Sequence, residues 1–239
     1  APETVVVLPT ASVEQHGPHL PVLTDTILCG AIAEQAASAA NRVVPVVVAP
    51  VLCYGSSHHH RPFAGVLSLS SGTYMAAVSD VLEGLALSGF RQIAVLNGHG
   101  GNSAPNAITG AEFIRRPDAP TALATASYWD IAREAIVASG LLAGEQVPGH
   151  AGRFETSLMM AIRPDLIDLD GLAETTHRSG VAGATVMTSG GVVHIRGAWA
   201  LGPGYTDEPA AVTAELGLRL LDIITQEVAS FLVRFARQP

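Results

Sequence analysis

The segment Gln92–Asn102, QIAVLNGHGGN, joins two kinds of structure. Its apolar first part, Gln92–Leu96, favours a buried strand, and the glycines around His99 favour a tight turn that a ligand can approach closely. The residues that follow, Ala104–Arg115, are typical of a helix with Pro105 in its first turn. The segment therefore predicts a strand, a turn and a helix in succession, which is the repeating unit of a parallel α/β fold.

The same alternation extends in both directions along the chain. Further strands are predicted at Val5–Leu8, Val43–Ala49 and Leu123–Ser127, with short strands at Thr185–Met187 and Val192–Ile195 in an otherwise irregular segment. Further helices are predicted at Asp25–Ala40 (with Thr24 or Asp25 as the N-cap), Thr73–Leu87, Asp130–Ala138, Glu155–Ile162 and Pro209–Phe235. We therefore predict a single domain over residues 1–239, with a three-layer α/β/α fold and a mostly parallel sheet.

The composition excludes several classes of protein. The 239 residues carry a net charge of −8, and 48% are hydrophobic while only 14% are charged. This balance argues against disorder and against a purely electrostatic nucleic-acid binder. All 13 basic residues are arginine, so Schiff-base lysine chemistry is excluded. The two cysteines, Cys29 and Cys53, are too few for a disulfide framework and are predicted to be buried thiols.

Targeting signals do not stand out in the sequence. No segment has the pattern of a signal peptide, and the longest apolar run, Val43–Cys53, is too short to span a bilayer. We therefore expect a cytoplasmic protein that acts on a small molecule and binds neither nucleic acid nor membrane. Its high apolar content and scarce charge agree with a homo-oligomer.

Polar side chains collect where the predicted strands end. They are Glu14, His16 and Asp25 after the first strand, His58, His59 and His60 after the second, His99 after the third, and His150 with Glu155 further along. In an open parallel sheet, ligands bind beyond the carboxyl ends of the strands. We therefore expect these side chains to converge on one site.

Histidines mixed with carboxylates suit Zn²⁺, Mn²⁺ or a similar divalent ion. A carboxylate shared between two ions would make a binuclear site, which activates water for hydrolysis. Taken alone, each residue also has a simpler interpretation: Asp25 as a helix cap, Glu14 with His16 as a solvated loop, and His99 as a polar turn residue. Their convergence on strand ends is what favours a metal site.

Four segments resemble those of the creatininase (creatinine amidohydrolase) family. They are Ser12–Pro21 (SVEQHGPHLP) followed by Thr24 and Asp25, Phe63–Leu69 (FAGVLSL), Asn97–Asn102 (NGHGGN) and His150–Ser157 (HAGRFETS). They follow the family's order and spacing, so the chain is identified as a member of that family. The resemblance implies a creatininase-like fold, metal-dependent hydrolysis of amides and a homo-oligomer, often a hexamer.

The resemblance also implies a set of metal ligands. One ion would be held by Glu14, Asp25 and His99, and the other by His16, the bridging Asp25 and a further glutamate. Creatininase has that glutamate where this chain has Gly101, and Glu155 is our candidate to replace it. The expected cofactors are two divalent ions, Zn, Mn or both, with Fe as a third option.

Catalytic and substrate-contacting residues follow from the same resemblance. His150 matches a catalytic histidine that is expected to assist proton transfer to the leaving nitrogen, and Glu155 joins it in the catalytic set. On the substrate side we expect His60, Trp129, Gly100 and Gly101. Creatininase has a tyrosine at the position of Gly100 and a tryptophan just before its catalytic histidine. This chain lacks both, which makes creatinine a less favoured substrate.

The expected activity is hydrolysis of a carbon–nitrogen amide bond in a cyclic amide, a formamide or a small peptide-like substrate. The alternatives are creatinine amidohydrolase itself and a peptidase or deformylase of cofactor biosynthesis. An alternative of another class is a non-catalytic metal-binding scaffold with the same fold. A nucleotide-binding protein is disfavoured, because NGHGGN lacks the Gly-x-Gly-x-x-Gly spacing.

Overall fold

Four parallel strands form the central sheet of the computed structural model, which describes residues 3–145, 147–175, 185–188, 191–194 and 197–238. In chain order the strands are β1 (Val5–Thr10), β2 (Val46–Val48), β3 (Gln92–Asn97) and β4 (Ala122–Ser127). They lie in the order β2-β1-β3-β4, and every neighbouring pair is parallel. Strands β5 (Thr185–Thr188) and β6 (Gly191–His194) form a separate antiparallel ribbon. The predicted parallel sheet is therefore confirmed.

Seven α-helices occur in the described part of the chain. They are α1 (Thr24–Ala40), α2 (Ser71–Leu87), α3 (Ser103–Phe113), α4 (Tyr128–Ser139), α5 (Arg153–Ile162), α6 (Leu169–Thr175) and α7 (Ala214–Ala236). Short 3₁₀ turns lie at His58–His60, Gly100–Asn102, Pro164–Leu166 and Ala198–Leu201. Each helix predicted from the sequence is present, with shifted ends.

Strand β1 shows how the sheet separates two apolar layers. Its residues Val5 and Val7 pack in a core with α1, α4, α5 and α7, whereas Val6 and Leu8 pack in a second core with α2 and α3. Successive side chains of a strand point to opposite faces, so a continuous apolar run can serve both layers. The structure thus confirms the predicted α/β/α arrangement.

Some element boundaries differ from the prediction for local reasons. Strand β2 is shorter than the predicted Val43–Ala49. The backbone N–H of Val44 donates a hydrogen bond to Ala40 O at 3.0 Å, so this residue belongs to the turn that ends α1. Helix α7 begins five residues after Pro209, where the side chain of Thr213 accepts a hydrogen bond from the first turn.

The two cysteines have different surroundings. Cys29 is buried, as predicted, whereas Cys53 lies in the loop after β2 and is only half-buried. Within the described residues, no helix is both long enough and apolar enough to cross a membrane.

Helices α5 and α7 approach closely at Gly217. A Cβ atom built on Gly217 would collide with the Ser157 carbonyl oxygen and would lie 3.0 Å from Ala161 Cβ. Gly84, exposed in the last turn of α2, is the matched case, because a Cβ there meets nothing within 4 Å.

We predict that Gly217→Ala lowers the free energy of unfolding by about 1–3 kcal/mol through overpacking. Gly84→Ala should raise it by about 0.5–1 kcal/mol, because alanine favours the helix. Urea unfolding of both variants measures the difference. Stabilisation by both substitutions would show that α5 and α7 are not in close contact.

Candidate metal centre

Five ligand-type side chains lie together at the carboxyl ends of the parallel strands. They are Glu14 and His16 from the loop after β1, Asp25 from the first turn of α1, His99 from the loop after β3, and Glu155 from the first turn of α5. None of them is more than 5% exposed. So many ionisable groups, removed from water, require close charge compensation.

Asp25 occupies the middle of this cluster. His16 Nε2 lies 3.1 Å from its Oδ1, and His99 Nδ1 lies 3.1 Å from its Oδ2. The prediction that Thr24 or Asp25 is the N-cap of α1 is wrong, because Leu23 holds that position. The helix start instead presents the carboxylate of Asp25 to two histidines that arrive from different loops.

The cluster divides into two sets of three donors. Glu14, Asp25 and His99 form one set, and His16, Asp25 and Glu155 form the other, with the donor atoms of each set within 4.8 Å of one another. His99 Nδ1 is 3.2 Å from Glu14 Oε2, and His16 Nε2 is 3.8 Å from Glu155 Oε2. The geometry thus brings together both ligand sets named from the sequence, with Glu155 in the second.

Backbone carbonyl groups orient both histidines of the cluster. His16 Nδ1 lies 3.2 Å from Glu14 O, and His99 Nε2 lies 3.2 Å from Ser56 O. A carbonyl oxygen only accepts, so each of these nitrogens carries the proton. The other nitrogen of each ring then points at the carboxylates, which is the usual arrangement of a metal-ligating histidine.

Burial and charge compete in the metal-free cluster. Burial alone would lower the pKa of His16, but Asp25 and Glu155 raise it to about 10. His99 likewise has its pKa raised well above the ordinary value, by Glu14 and Asp25. Protons on these rings therefore balance the carboxylates.

Divalent ions would supply the same balance. Burial raises the pKa of Glu155 to about 8, so this carboxyl also lacks a full counter-charge without metal. Asp25 Oδ2 is buried beside His99 Nδ1, at 3.1 Å, but no group among the described residues makes a well-aligned hydrogen bond to it. A mixed set of imidazole nitrogens and carboxylate oxygens with these needs fits Zn²⁺ or Mn²⁺.

His150 reaches the cluster from a loop that two distant residues hold in place. Its N–H donates to Thr206 Oγ1 at 2.7 Å, and the Thr206 N–H donates back to His150 O at 3.0 Å. The carboxylate of Asp207 lies against Gly152, where no Cβ would fit, and accepts from the N–H of Arg153 at 3.2 Å. Thr206 and Asp207 thus clamp the loop, and His150 Nδ1 lies 3.6 Å from Glu14 Oε1.

The fold is shared with proteins of known structure and sequence. A family model described as creatinine amidohydrolase matches residues 1–232 of the chain. The chain belongs to the creatininase family. Among solved structures, a crystal structure of creatinine amidohydrolase (creatininase) superposes with a TM-score of 0.80 at 26% sequence identity, covering 99% of this chain and 92% of that one.

Two curated relatives of this creatininase-family chain have different activities. It is 32% identical over 184 residues to a creatinine amidohydrolase of Pseudomonas putida, covering 71% of this chain and 68% of that protein. It is also 32% identical over 229 residues to a mycofactocin precursor peptide peptidase of Mycolicibacterium smegmatis, covering 90% of this chain and 79% of that protein. The chain is accordingly a hydrolase that acts on carbon–nitrogen bonds.

Not every residue expected on the substrate side of this creatininase-family chain lies at the cluster. His60 does, because its Nε2 is 3.5 Å from Glu14 Oε1. Trp129 instead lies in the apolar core, 5% exposed and edge-on to Tyr128 at 5.0 Å. Gly100 is exposed, and the half-buried Gly101 lies close to His99 and offers no side chain to a substrate.

Trp199 and His59 line one side of the cluster with aromatic rings, which the sequence did not indicate. Trp199 packs its ring 4.3 Å from His60 and 5.2 Å from His150, between ring centroids. His59 stacks on His99 at 5.6 Å. The signal for Trp199 was a lone tryptophan in an irregular glycine-rich segment. Trp199 thus brings an indole against His150, although the loop before His150 contains no tryptophan.

Gly101 is required by the backbone around His99. A Cβ on Gly101 would overlap Ser56 O, the acceptor for His99 Nε2, whereas a Cβ on Gly100 meets nothing within 4 Å. The two neighbouring glycines therefore form a matched pair for substitution.

We predict that Gly101→Ala weakens Zn²⁺ binding about 10- to 100-fold, because it displaces the group that orients His99. Gly100→Ala should leave the affinity unchanged. Calorimetric titration with Zn²⁺ measures both. Equal affinities in the two variants would mean that Ser56 does not orient a ligand.

The pKa shifts predict how the metal-free protein responds to alkali. The pKa values of His16, about 10, and Glu155, about 8, lie above those of the unfolded chain. Protons that the folded state holds more tightly stabilise it at low pH, and this contribution is lost as the pH rises through the folded values. The thermal midpoint in a chelator should therefore fall between about pH 6.5 and about pH 10.

Excess Zn²⁺ should abolish most of that fall, because the ions take over the compensation from the protons. Differential scanning calorimetry across the pH range, with and without metal, is the measurement. A midpoint of the metal-free protein that is constant or rises over this range would contradict the assigned protonation.

Proposed function

We propose that this chain is a metal-dependent amidohydrolase with a binuclear centre. The observation that carries the proposal is the position of Asp25, which presents one oxygen to each of two donor sets. Each set contains one histidine whose free nitrogen faces inward. Two divalent ions, when bound, would polarise a carbonyl group and activate water for hydrolysis.

Zinc and manganese are the proposed ions. A single-site creatininase mutant of Zn-Zn type (27% identity, TM-score 0.80) and a creatininase described as the Mn form (26%, 0.73) each superpose over 99% of this chain and 92% of their own. The nitrogen and oxygen donors of this chain suit both metals. In this proposal Glu155 takes the place of the glutamate that creatininase carries at the position of Gly101.

His150 is the proposed proton carrier. Its Nε2 lies 2.8 Å from Gln15 O and therefore bears the proton, which leaves the lone pair on Nδ1 directed at the cluster. Burial, together with His16 and His60, holds the pKa of His150 well below its usual range, so the ring is neutral. A neutral Nδ1 beside Glu14 can take a proton and deliver it to the leaving nitrogen.

A small cavity borders Gln15, whose side chain also donates to His60 at the cluster. It has a volume of about 310 Å³ and is lined by Gln15, Phe63, Pro203 and Tyr205, among others, with the carboxylate of Glu174 contributing charge. This volume is at the small end for ligand pockets, and its mixed polar and apolar walls would suit a compact amide. Cyclic amides, formamides and short peptides are the proposed substrates.

Cleavage of a peptide-like substrate is the second candidate. The mycofactocin precursor peptide peptidase covers more of this chain, 90%, than the creatinine amidohydrolase does, 71%. The tyrosine of creatininase is also replaced here by Gly100. A non-catalytic scaffold has less support, because Glu155 completes the second donor set.

We predict that Glu14→Ala and His99→Ala sharply reduce bound metal, because each removes a donor from the first set. His150→Ala should retain the metal and lose turnover by about 10²- to 10⁴-fold, as expected for loss of a proton carrier. His58→Ala is the matched control, since His58 is exposed and lies outside both donor sets.

Elemental analysis gives the metal content, and a panel of creatinine, formamides and short peptides with added Zn²⁺ or Mn²⁺ gives turnover. Full metal occupancy in both ligand variants would refute the binuclear centre. Undiminished turnover in His150→Ala would remove its catalytic role.

A further inference from the structure

We infer that Gln15 is a positioning residue that makes His60 direct a ring N–H toward Glu14. His150, on the other side of the same carboxylate oxygen, presents a lone pair instead. The inference builds on the proposed function, in which His150 is the proton carrier, but it concerns hydrogen positions that can be measured without turnover.

The orientation of the Gln15 amide is fixed at both ends. Its Oε1 accepts a hydrogen bond from Gly17 N at 2.9 Å, and its Nε2 donates to Gly204 O at 2.8 Å. A flipped amide would place the oxygen against a carbonyl and the NH₂ group against an N–H. The side chain therefore has one N–H left to donate.

His150 does not take that remaining proton. Its Nε2 lies 2.8 Å from Gln15 O, a backbone acceptor, and must itself carry hydrogen. The contact of 3.2 Å between His150 Nε2 and Gln15 Nε2 thus joins two donors and is no hydrogen bond. The backbone of Gln15, not its side chain, sets the tautomer of His150.

The remaining N–H of Gln15 goes to His60. The distance from Gln15 Nε2 to His60 Nδ1 is 2.9 Å, so Nδ1 is the acceptor and the proton of the neutral ring sits on Nε2. His60 is almost fully buried, and its Nε2 lies 3.5 Å from Glu14 Oε1. His60 therefore directs an N–H into the cluster.

Glu14 Oε1 is consequently flanked by two unlike groups. The N–H of His60 lies 3.5 Å away on one side, and the lone pair of His150 Nδ1 lies 3.6 Å away on the other. An amide that reached both rings would be held in one orientation, with its oxygen toward His60 and its nitrogen toward His150. A preorganised donor of this kind stabilises negative charge that develops on the substrate oxygen.

The Nε2–H tautomer of His60 argues against a third metal site. The donor atoms of Glu14, His59 and His60 also lie within 4.8 Å of one another. Because Nδ1 accepts from Gln15, Nε2 could bind an ion only if the ring lost its last proton, so His60 is a donor to the site rather than a ligand in it.

The test is the protonation pattern of the imidazole nitrogens, from long-range ¹H–¹⁵N NMR on protein labelled at histidine. Spectra are recorded at neutral pH without metal and with Zn²⁺, and His60 is assigned by its loss in His60→Gln. We expect Nε2–H for both His60 and His150 in the wild type. Hydrogen on Nδ1 of His60 in the wild type, or coordination of Zn²⁺ by His60, would overturn the inference.

The second part of the test measures the His60 tautomer in variants of Gln15. In Gln15→Glu the carboxylate can only accept, so His60 should switch to Nδ1–H; in Gln15→Met it should lose its preference. His150 should keep Nε2–H in both, because its partner is the backbone carbonyl. Gln92→Met is the matched control, since Gln92 is also buried and donates to Ala236 O at 3.0 Å, at the opposite end of β3.

An unchanged His60 tautomer in both Gln15 variants would show that Gln15 does not set it. A failure of the proposed function would appear differently, as absent metal binding or absent turnover with the expected tautomers in place.

Discussion

Three carboxylates that are almost completely buried in one cluster dominate this structure. Glu14, Asp25 and Glu155 cannot all remain ionised there without positive charge at close range. Imidazolium protons supply that charge in the metal-free protein, and divalent ions do so in the proposed enzyme. The surrounding loops and helix starts are arranged to bring compensating groups to these oxygens, and the parallel sheet gives them a common edge.

The backbone controls the chemistry of the cluster as much as the side chains do. Three histidines, His16, His99 and His150, each donate one ring N–H to a carbonyl oxygen of the main chain. His60 is the exception, because a side-chain amide approaches its ring. For His16, His99 and His150, the backbone thus selects which ring nitrogen faces the cluster.

The sequence predicted the sheet, the helices and the ligand sets because these depend on local pattern. Apolar runs mark buried strands, and in a parallel sheet the residues after each strand must meet at one edge. Trp199, Thr206 and Asp207 escaped prediction because their contacts with the His150 loop join distant parts of the chain. The predicted N-cap of α1 was wrong for another reason. Asp25 is a residue type that often caps helices, but its carboxylate interacts with His16 and His99 instead.

The clamp that Thr206 and Asp207 form on the His150 loop bears on the order of events during synthesis of the chain. The partner of His150, Thr206, lies 56 residues further along the chain, whereas Glu14, Asp25 and His99 all precede position 100. A chain that emerges from the ribosome amino end first presents these early donors well before the clamp exists. In the proposed enzyme, the first donor set would therefore be synthesised before the residues that hold His150, and the proton carrier would be positioned only after the carboxy-terminal segment docks.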